Sequence, residues 1–189
     1  MFTRARILDA AVELLGTQGL KALTHIRVDV AAGVPKGSTS NYFRTRAALL
    51  TGVVEWLADQ DQDLAVLVRR PSPPANVGAF VALLAHCIEA ATTASRPRTV
   101  ARYVLFLEGT HNEDVRRPLL PGRAYIRSFI ETSMESLGAH DPAGAATAIT
   151  AVGEGMIIQR MTVDPDADVR APIDAVVRAF VPRRHNRAD

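Results

Sequence analysis

The chain has 189 residues, of which 48% are hydrophobic, and its formal net charge is +2. This length and composition predict one or two folded domains with a sizeable core, and no apolar run reaches the roughly 18 to 20 residues that cross a bilayer. The single cysteine, Cys87, excludes an intrachain disulfide and a cysteine-rich metal site. Residues 1–4 lack the features of a signal peptide, so we expect a cytoplasmic protein without a membrane partner.

The first predicted helix has Thr3 as its N-cap and ends at Gly16 and Gly19. Phe2 and Ile7 have the spacing of a hydrophobic staple. Five apolar residues of this segment repeat with the period of an amphipathic helix. They are Ile7, Leu8, Ala11, Leu14 and Leu15.

Two shorter helices are predicted next. Thr24 is placed to cap a helix that runs to about Ala32, and Gly33 supplies a sharp turn. Pro35 has the position expected for the first turn of a third, short helix. Helix, glycine turn and helix within about twenty residues are typical of a helix-turn-helix.

A fourth helix is predicted from Arg46 to Arg69, about 35 Å long. The prolines that follow indicate a linker at Pro71–Asn76. The apolar positions of this helix are Leu49, Val53, Leu57 and Leu64.

Apolar periodicity predicts five further helices and no strand. The fifth begins near Val77, the sixth runs from Pro97 to Glu108, and the seventh ends at Gly138. Asp141 and Pro142 read as N-cap and first residue of an eighth helix that ends near Met161, and the ninth spans Pro172–Phe180. The apolar positions are Val77, Phe80, Val81, Leu84 and Ile88 in the fifth, Val100, Tyr103, Val104 and Leu107 in the sixth, and Ile126, Phe129, Ile130, Met134 and Leu137 in the seventh.

Charge is distributed unevenly along the chain. Residues 1–50 carry a net charge of +4, whereas the remainder carries −2. A positive end on a nearly neutral body suggests a polyanionic partner at that end, although a merely solvated basic surface is equally compatible with the charge alone.

Residues 19–50 contain an ordered series of short motifs that resembles the DNA-binding region of the TetR family of bacterial repressors. The resemblance implies an all-α fold of about nine helices. It comprises a three-helix helix-turn-helix domain over residues 1–46 and a ligand-binding and dimerisation domain over residues 47–189. The matching pieces are Gly19-Leu20, Leu23-Thr24, Ala32-Gly33-Val34, Lys36-Gly37-Ser38, Tyr42-Phe43 and Arg46-Ala47-Ala48-Leu49-Leu50.

The residue types of the motif suit operator DNA. A recognition helix lies in the major groove, where short polar side chains bind base edges and cations bind the flanking phosphates. We expect Ser38, Thr39 and Asn41 at base edges, and Gly37 at a close backbone approach. The expected phosphate ligands are Thr24, Lys36, Tyr42, Arg44 and Arg46. For each side chain the alternative is an exposed helix surface.

Three residues of the motif call for separate comment. Phe43 is expected to plug the core of the small domain. Asp29 and Ser40 depart from the commonest residues of the family at these positions. Asp29 either faces solvent or pairs with an arginine, and phosphate binding by residue 40 is left open.

The carboxy-terminal body has no comparable motif, so its expected roles come from the resemblance alone. A small-molecule effector is expected in a cavity lined by His86, Glu89, Arg102, Tyr103, Phe106 and Phe129. The alternative is core aromatics and solvated charges. A homodimer interface is expected at Ala145, Ala148, Val152, Val176 and Phe180, because small residues allow close helix packing. The alternative for the eighth helix is tight internal packing.

The resemblance implies a DNA-binding transcriptional repressor that a small-molecule ligand releases from its operator. Two other function classes compete with this one. An enzyme would depend either on His86 and Cys87 or on His111 with Glu113 and Asp114. Adjacent helical residues point about 100° apart, so His86 is poorly placed to activate Cys87 as a nucleophile. The His111 group falls in an expected loop and offers too few matched ligands for a metal site. We therefore expect no catalytic residue, no metal site and no cofactor. A helical interaction module that has lost DNA binding is the second alternative.

Overall fold

The computed structural model describes residues 2–68 and 74–182, with side chains for residues 3–60 and 74–182. Every regular element within these ranges is helical, which confirms the all-α prediction. The helices are α1 (Phe2–Gln18), α2 (His25–Ala32), α3 (Ser38–Tyr42), α4 (Arg46–Val68), α5 (Val77–Thr92), α6 (Arg96–Glu108), α7 (Glu113–Ser136), α8 (Pro142–Thr162) and α9 (Arg170–Phe180), with a 3₁₀ turn at Leu20–Ala22.

The start of the chain differs from the prediction at its caps. The helix α1 begins at Phe2, so Thr3 lies inside it and is not its N-cap. Gly16 also lies inside α1 rather than at its end. The 3₁₀ turn was not predicted. The side chains of Phe2 and Leu64, and the backbone of residues 71–73 in the expected linker, lie outside the described residues.

The helix-turn-helix is confirmed in outline and corrected at one boundary. The hydroxyl of Thr24 caps α2 by accepting the N–H of Arg27 at 3.4 Å, and Gly33 ends α2 with a left-handed φ of 61°. The short helix α3 begins at Ser38, three residues after the predicted Pro35. Gly37 causes the delay because its φ of 91° is incompatible with a right-handed helix.

Three carboxy-terminal elements also differ from the prediction. The buried face of α6 is Thr99, Ala101 and Leu105, whereas the predicted Leu107 is 70% exposed. The expected loop at Glu113 is the first turn of α7, because the side chain of Asn112 accepts the N–H of Asp114 there. The helix α9 begins two residues before the predicted Pro172.

The chain forms two compact units. The first contains Met1–Leu67 and Ser95–Arg123, and the second contains Val68–Ala94 and Ala124–Asp189. The prediction divides the chain after residue 46, whereas the first unit also includes most of α4, all of α6 and the start of α7.

The first unit is built on α1, which packs against α2, α3 and α6. Gly16 allows a close approach to α6, since a Cβ at this position would lie 2.8 Å from the Cα of Pro97. Phe43 is 6% exposed and contacts Gly52 of α4, so its predicted position in the core is confirmed. The largest fully buried side chains of this unit are Ile7, Leu8, Leu15, Leu23, Val28, Leu49, Leu57 and Leu105.

The second unit packs α5, α8 and α9 on one another. Phe80 is fully buried, and its ring centroid lies 6.3 Å from that of Phe129. Asp141 caps α8 by accepting the N–H of Gly144 at 2.9 Å, as predicted. Over the described ranges no single helix is long and apolar enough to cross a bilayer, and only α5 and α6 counted together pass that test.

Candidate nucleic-acid interface

The five residues of α3 divide into an outward and an inward side. Ser40 and Asn41 are exposed, and Tyr42 is 49% exposed. Thr39, by contrast, is fully buried. The outward side therefore offers a hydroxyl, a carboxamide and a phenol, all of which form hydrogen bonds with bases or phosphates.

Thr39 is not available to a base edge, so this part of the prediction is wrong. Its hydroxyl donates to Oδ1 of Asp29 at 2.6 Å, and its backbone N–H donates to the same oxygen at 2.7 Å. A buried hydroxyl needs such a partner, because burial without one is costly. Thr39 fastens α3 to α2 instead of contacting DNA.

Asp29 adopts neither of the two arrangements left open by the sequence. Its side chain is only 3% exposed, and Oδ2 accepts the backbone N–H of Gly37 at 2.7 Å. Burial raises the pKa of Asp29, but the hydrogen bonds from Thr39 and Gly37, together with the nearby His25, outweigh it and hold the pKa below its ordinary value of 3.8. The buried carboxylate is thus kept ionised.

The other end of α3 is held by His25. Its Nε2 lies 2.6 Å from the carbonyl oxygen of Phe43, the residue that follows α3. A carbonyl only accepts, so Nε2 carries the proton and donates. His25 and Asp29 are one helical turn apart on α2 and contact opposite ends of α3.

Sequence reasoning assigned no role to His25 and left those of Asp29 and Ser40 undecided. The signal for Asp29 was present as a short acidic residue upstream of a turn with several unpaired N–H groups. Its partners lie eight and ten residues away, beyond the spacing of a local cap.

Three other predicted contacts lie around the start of α2 and α3. Thr24 is exposed. Gly37 is partly exposed, and a Cβ added to it would meet no atom within 4 Å, so its backbone angle alone requires glycine. The hydroxyl of Ser38 donates to the carbonyl of Pro35 at 2.6 Å, and its oxygen retains its capacity to accept.

The predicted phosphate ligands differ in their surroundings. Lys36 and Arg44 are exposed on either side of α3. Arg46 is also exposed, but its guanidinium donates to the carbonyls of Leu20 at 2.8 Å and Leu23 at 3.3 Å. Arg46 therefore stabilises the turn before α2 as well as standing at the start of α4.

The six expected ligand residues fall in both units. In the first, Arg102 and Tyr103 are half-buried and the guanidinium of Arg123 lies 4.7 Å from the ring centroid of Phe106. In the second, Phe129 packs beside Phe80. His86 and Glu89 are exposed on α5, so neither is turned into the core of its unit.

The five expected dimer residues are divided by burial. Ala145 is fully buried within the second unit, so it cannot touch a second copy, and its prediction as an interface residue is wrong. It faces inward because α8 packs on both α5 and α9. Val152, Val176 and Phe180 are half-buried and pack against the same core, and Ala148 is half-buried on α8.

The residues considered for catalysis are exposed in the structure. His86 and Cys87 are both exposed, and His111 lies in a turn before α7. Among the described side chains, those of residues 3–60 and 74–182, no group of three or more histidine, cysteine, aspartate or glutamate residues is arranged to hold a metal ion.

Two family models match the chain. Residues 7–53 match the model described as "Bacterial regulatory proteins, tetR family". Residues 75–183, more than half of the chain, match the model described as "Tetracyclin repressor-like, C-terminal domain". A curated relative, the HTH-type transcriptional regulator BetI of Rhizobium meliloti (strain 1021), is 26% identical over 98% of this chain and 90% of its own length.

Solved structures share the fold. A transcriptional regulator from Saccharomonospora viridis, in complex with choline, has a TM-score of 0.79 at 17% identity, with 95% of this chain and 98% of that chain covered. The multidrug binding protein EbrR, complexed with ethidium, has a TM-score of 0.70 at 22% identity, with 95% and 99% covered. The regulator SCO7518 from Streptomyces coelicolor A3(2) has a TM-score of 0.71 at 21% identity, with 96% and 100% covered.

Proposed function

The chain belongs to the TetR family of bacterial regulatory proteins and is a DNA-binding transcriptional regulator, and we propose that it acts as a homodimeric repressor. In this proposal a small-molecule ligand releases the repressor from its operator. The exposed polar face of α3 is the observation that carries the DNA-binding part of the proposal. We place the repressor in the cytoplasm, where bacterial DNA lies.

The interface supports separate roles for reading and for positioning. Asn41 is exposed, and an asparagine side chain can bond N6 and N7 of adenine at once. Lys36 and Arg44 are exposed before and after α3, and we assign them to phosphates, which position a protein on DNA without reading its sequence. Thr24, Tyr42 and the remaining N–H groups of Arg46 add to the phosphate contacts.

The dimer is proposed from the surface of α8 and α9. Ala143, Ala151 and Gly155 are exposed on α8, and Ile158 is 41% exposed on the same helix. Small side chains allow a second helix to approach closely, as in an intersubunit four-helix bundle. A dimer also places two recognition helices about 34 Å apart, one turn of DNA, which a single short helix needs for useful specificity.

The ligand is proposed from the family and from the neighbours in complex with choline and with ethidium. If a ligand prefers a conformation that does not bind the operator, it lowers DNA affinity, and DNA lowers ligand affinity by the same factor. Both neighbours' ligands are organic cations, so choline and ethidium are suitable first probes.

A gel shift tests DNA binding. The duplex is the region upstream of the protein's own gene or of a neighbouring gene, with excess unrelated DNA as competitor. We expect a discrete complex that survives the competitor. A folded dimer that binds no such fragment more tightly than the competitor would favour the interaction-module alternative.

Light scattering at micromolar concentration tests the dimer. We expect a dimeric mass without DNA, and a monomeric mass for Ala151→Arg, which places a charge on the exposed small face of α8. Ala79→Arg is the matched control, because it adds the same charge to an exposed alanine of α5. A monomeric wild-type protein would contradict the proposal.

Two measurements test the ligand. Mass spectrometry after gentle purification would detect a retained small molecule, and calorimetry with choline would compare the free and the operator-bound protein. We expect weaker binding to the operator-bound form. Equal affinities for a ligand that binds would exclude release by that ligand. Ethidium is measured without DNA, since it also binds DNA.

A further inference from the structure

The recognition helix α3 is too short to be stable by itself. Isolated helices shorter than about 12 to 15 residues are marginal in water, and α3 has five residues. Its N-terminal N–H groups and C-terminal carbonyls also need partners from outside the helix. The position of Asn41 and Ser40 toward DNA therefore depends on what holds the two ends of α3.

Both ends are held by side chains of α2. At the N-terminal end, the two oxygens of Asp29 accept three hydrogen bonds, from Gly37 N–H, Thr39 N–H and Thr39 Oγ1, all between 2.6 and 2.7 Å. At the C-terminal end, His25 Nε2 donates to the carbonyl of Phe43 at 2.6 Å.

The chemistry of each contact matches the end that it holds. The negative Asp29 lies at the start of α3, where the N–H groups give a partial positive charge, and the donating His25 lies at the end, where carbonyls accumulate. Charge-assisted hydrogen bonds are stronger than neutral ones. A buried charge is tolerated only when it is fully hydrogen-bonded, so the bonds of Asp29 allow little movement.

We infer that Asp29 and His25 form a clamp that sets the recognition helix in its DNA-reading position before DNA is bound, which makes both of them positioning residues for operator recognition. This inference rests on the proposed function for its DNA-reading role. Its structural part, the clamp itself, is measured without DNA.

Thr39 provides the sharpest test, because one substitution removes its hydroxyl and another retains it. Thr39→Val keeps the shape and removes the donor to Asp29, whereas Thr39→Ser keeps the donor. In hydrogen exchange we expect faster exchange of the Gly37 and Thr39 amides in T39V and wild-type exchange in T39S. Asp29→Asn and His25→Ala extend the test to each end, with His25→Gln as the variant that keeps a donor.

DNA binding is then measured for the same variants at several salt concentrations. We expect T39V and D29N to lower the ratio of specific to non-specific affinity about tenfold, which is about 1.4 kcal/mol. The dependence of affinity on salt is expected to stay unchanged, because no phosphate contact is lost. T39S should have the same ratio of specific to non-specific affinity as the wild type.

Val28→Ala is the control for general destabilisation, since Val28 is a fully buried residue of α2 that belongs to the core and to neither end of α3. It should lower stability and leave the affinity ratio of the folded protein unchanged. The clamp is overturned if the Gly37 and Thr39 amides of T39V exchange as in the wild type. Its reading role is overturned if exchange rises while the affinity ratio stays constant. A wild-type protein that shows no specific binding contradicts the proposed function, and the exchange result still decides the clamp.

Discussion

In the first compact unit, polar side chains with named partners set the position of a short helix, whereas in the second unit apolar packing orders most of the described residues. Asp29 and Arg46 each bond backbone groups of another element in the first unit. The second unit is ordered instead around Phe80, Ile149 and Ile173.

The difference follows from what each unit does. A surface that reads DNA has to fix polar groups at the exposed end of a short element, and hydrogen bonds provide the necessary direction. Apolar packing has no such direction and tolerates changes that keep volume. The position of α3 should therefore be sensitive to the loss of single polar atoms, whereas the second unit should be sensitive to the loss of volume.

The largest effect is expected in the second unit. Phe80→Ala removes a fully buried ring and leaves a cavity, so we expect the free energy of unfolding to fall by about 3 to 5 kcal/mol. Urea denaturation measures it. Leu83→Ala on the same helix is the control, because Leu83 is 37% exposed, and it should cost clearly less. Equal losses would show that burial does not order this unit.

The next largest effects come from two glycine substitutions, one in each unit, with opposite expected signs. Gly16→Ala in α1 places a Cβ 2.5 Å from the carbonyl carbon of Pro97, so α1 and α6 must move apart at an expected cost of about 1 to 3 kcal/mol. Gly153→Ala in α8 places a Cβ at an ordinary contact distance of 3.6 Å from Cδ1 of Ile88 and should stabilise the helix by about 0.5 to 1 kcal/mol. Thermal unfolding of both variants gives the sign. A stabilised G16A would contradict the close packing of α1 on α6.

Local signals made most of the fold predictable. The start of α8 at Asp141 and Pro142 and the turn at Gly33 were read correctly, because a cap and a left-handed glycine act within a few residues. The buried face of α6 was misread at Leu107, since periodicity shows that a helix is amphipathic and tertiary packing decides which residues are covered.

The candidate site was predictable in place but less so in detail. The motif located α3, and the exposure of Asn41 and Tyr42 agrees with an outward face. Thr39, which the sequence assigns to a base edge, is buried, and Ser40, whose role the sequence leaves open, is exposed. A pattern of short polar residues does not reveal which of them turns inward to a buried carboxylate, because that depends on the partner helix. The residues expected to line the ligand cavity have neither a sequence motif nor a characteristic pattern of residue types.

Reading and positioning should separate within the first unit. Asn41→Ala is expected to cost about 1 to 3 kcal/mol per contact at one base pair of each half-site and to leave the salt dependence unchanged. Lys36→Ala should weaken binding to all sequences about equally. Because a dimer loses two phosphate contacts, the slope of log K against log salt becomes shallower by roughly 2.

Fluorescence anisotropy with operator and scrambled duplexes, at several salt concentrations, measures both effects. Lys36 is preferred to Arg46 for this comparison, because Arg46→Ala also removes the bonds to Leu20 and Leu23. The two roles would be wrongly assigned if K36A changed base preference at a constant slope, or if N41A changed the slope alone.

The smallest effect concerns acid. The pKa of Asp29 is lowered in the folded protein, so its contribution to stability is fully present above the ordinary value of 3.8 and is lost as the pH falls through the folded value. The difference in unfolding free energy between the wild type and Asp29→Asn should therefore be constant above about pH 5 and narrow at lower pH. The Coulomb interaction with His25, one turn away on α2, also lowers the pKa of Asp29. Thr39→Val removes one of the hydrogen bonds that lower the pKa of Asp29. When Asp29→Asn is compared with its parent in the Thr39→Val protein, the difference in unfolding free energy should therefore begin to narrow at a higher pH. Urea denaturation between pH 3 and 7 measures this for four proteins: the wild type, Asp29→Asn, Thr39→Val and the double variant. A difference in unfolding free energy that stays constant to the lowest pH would mean that the hydrogen bonds of Asp29 do not hold its carboxylate ionised.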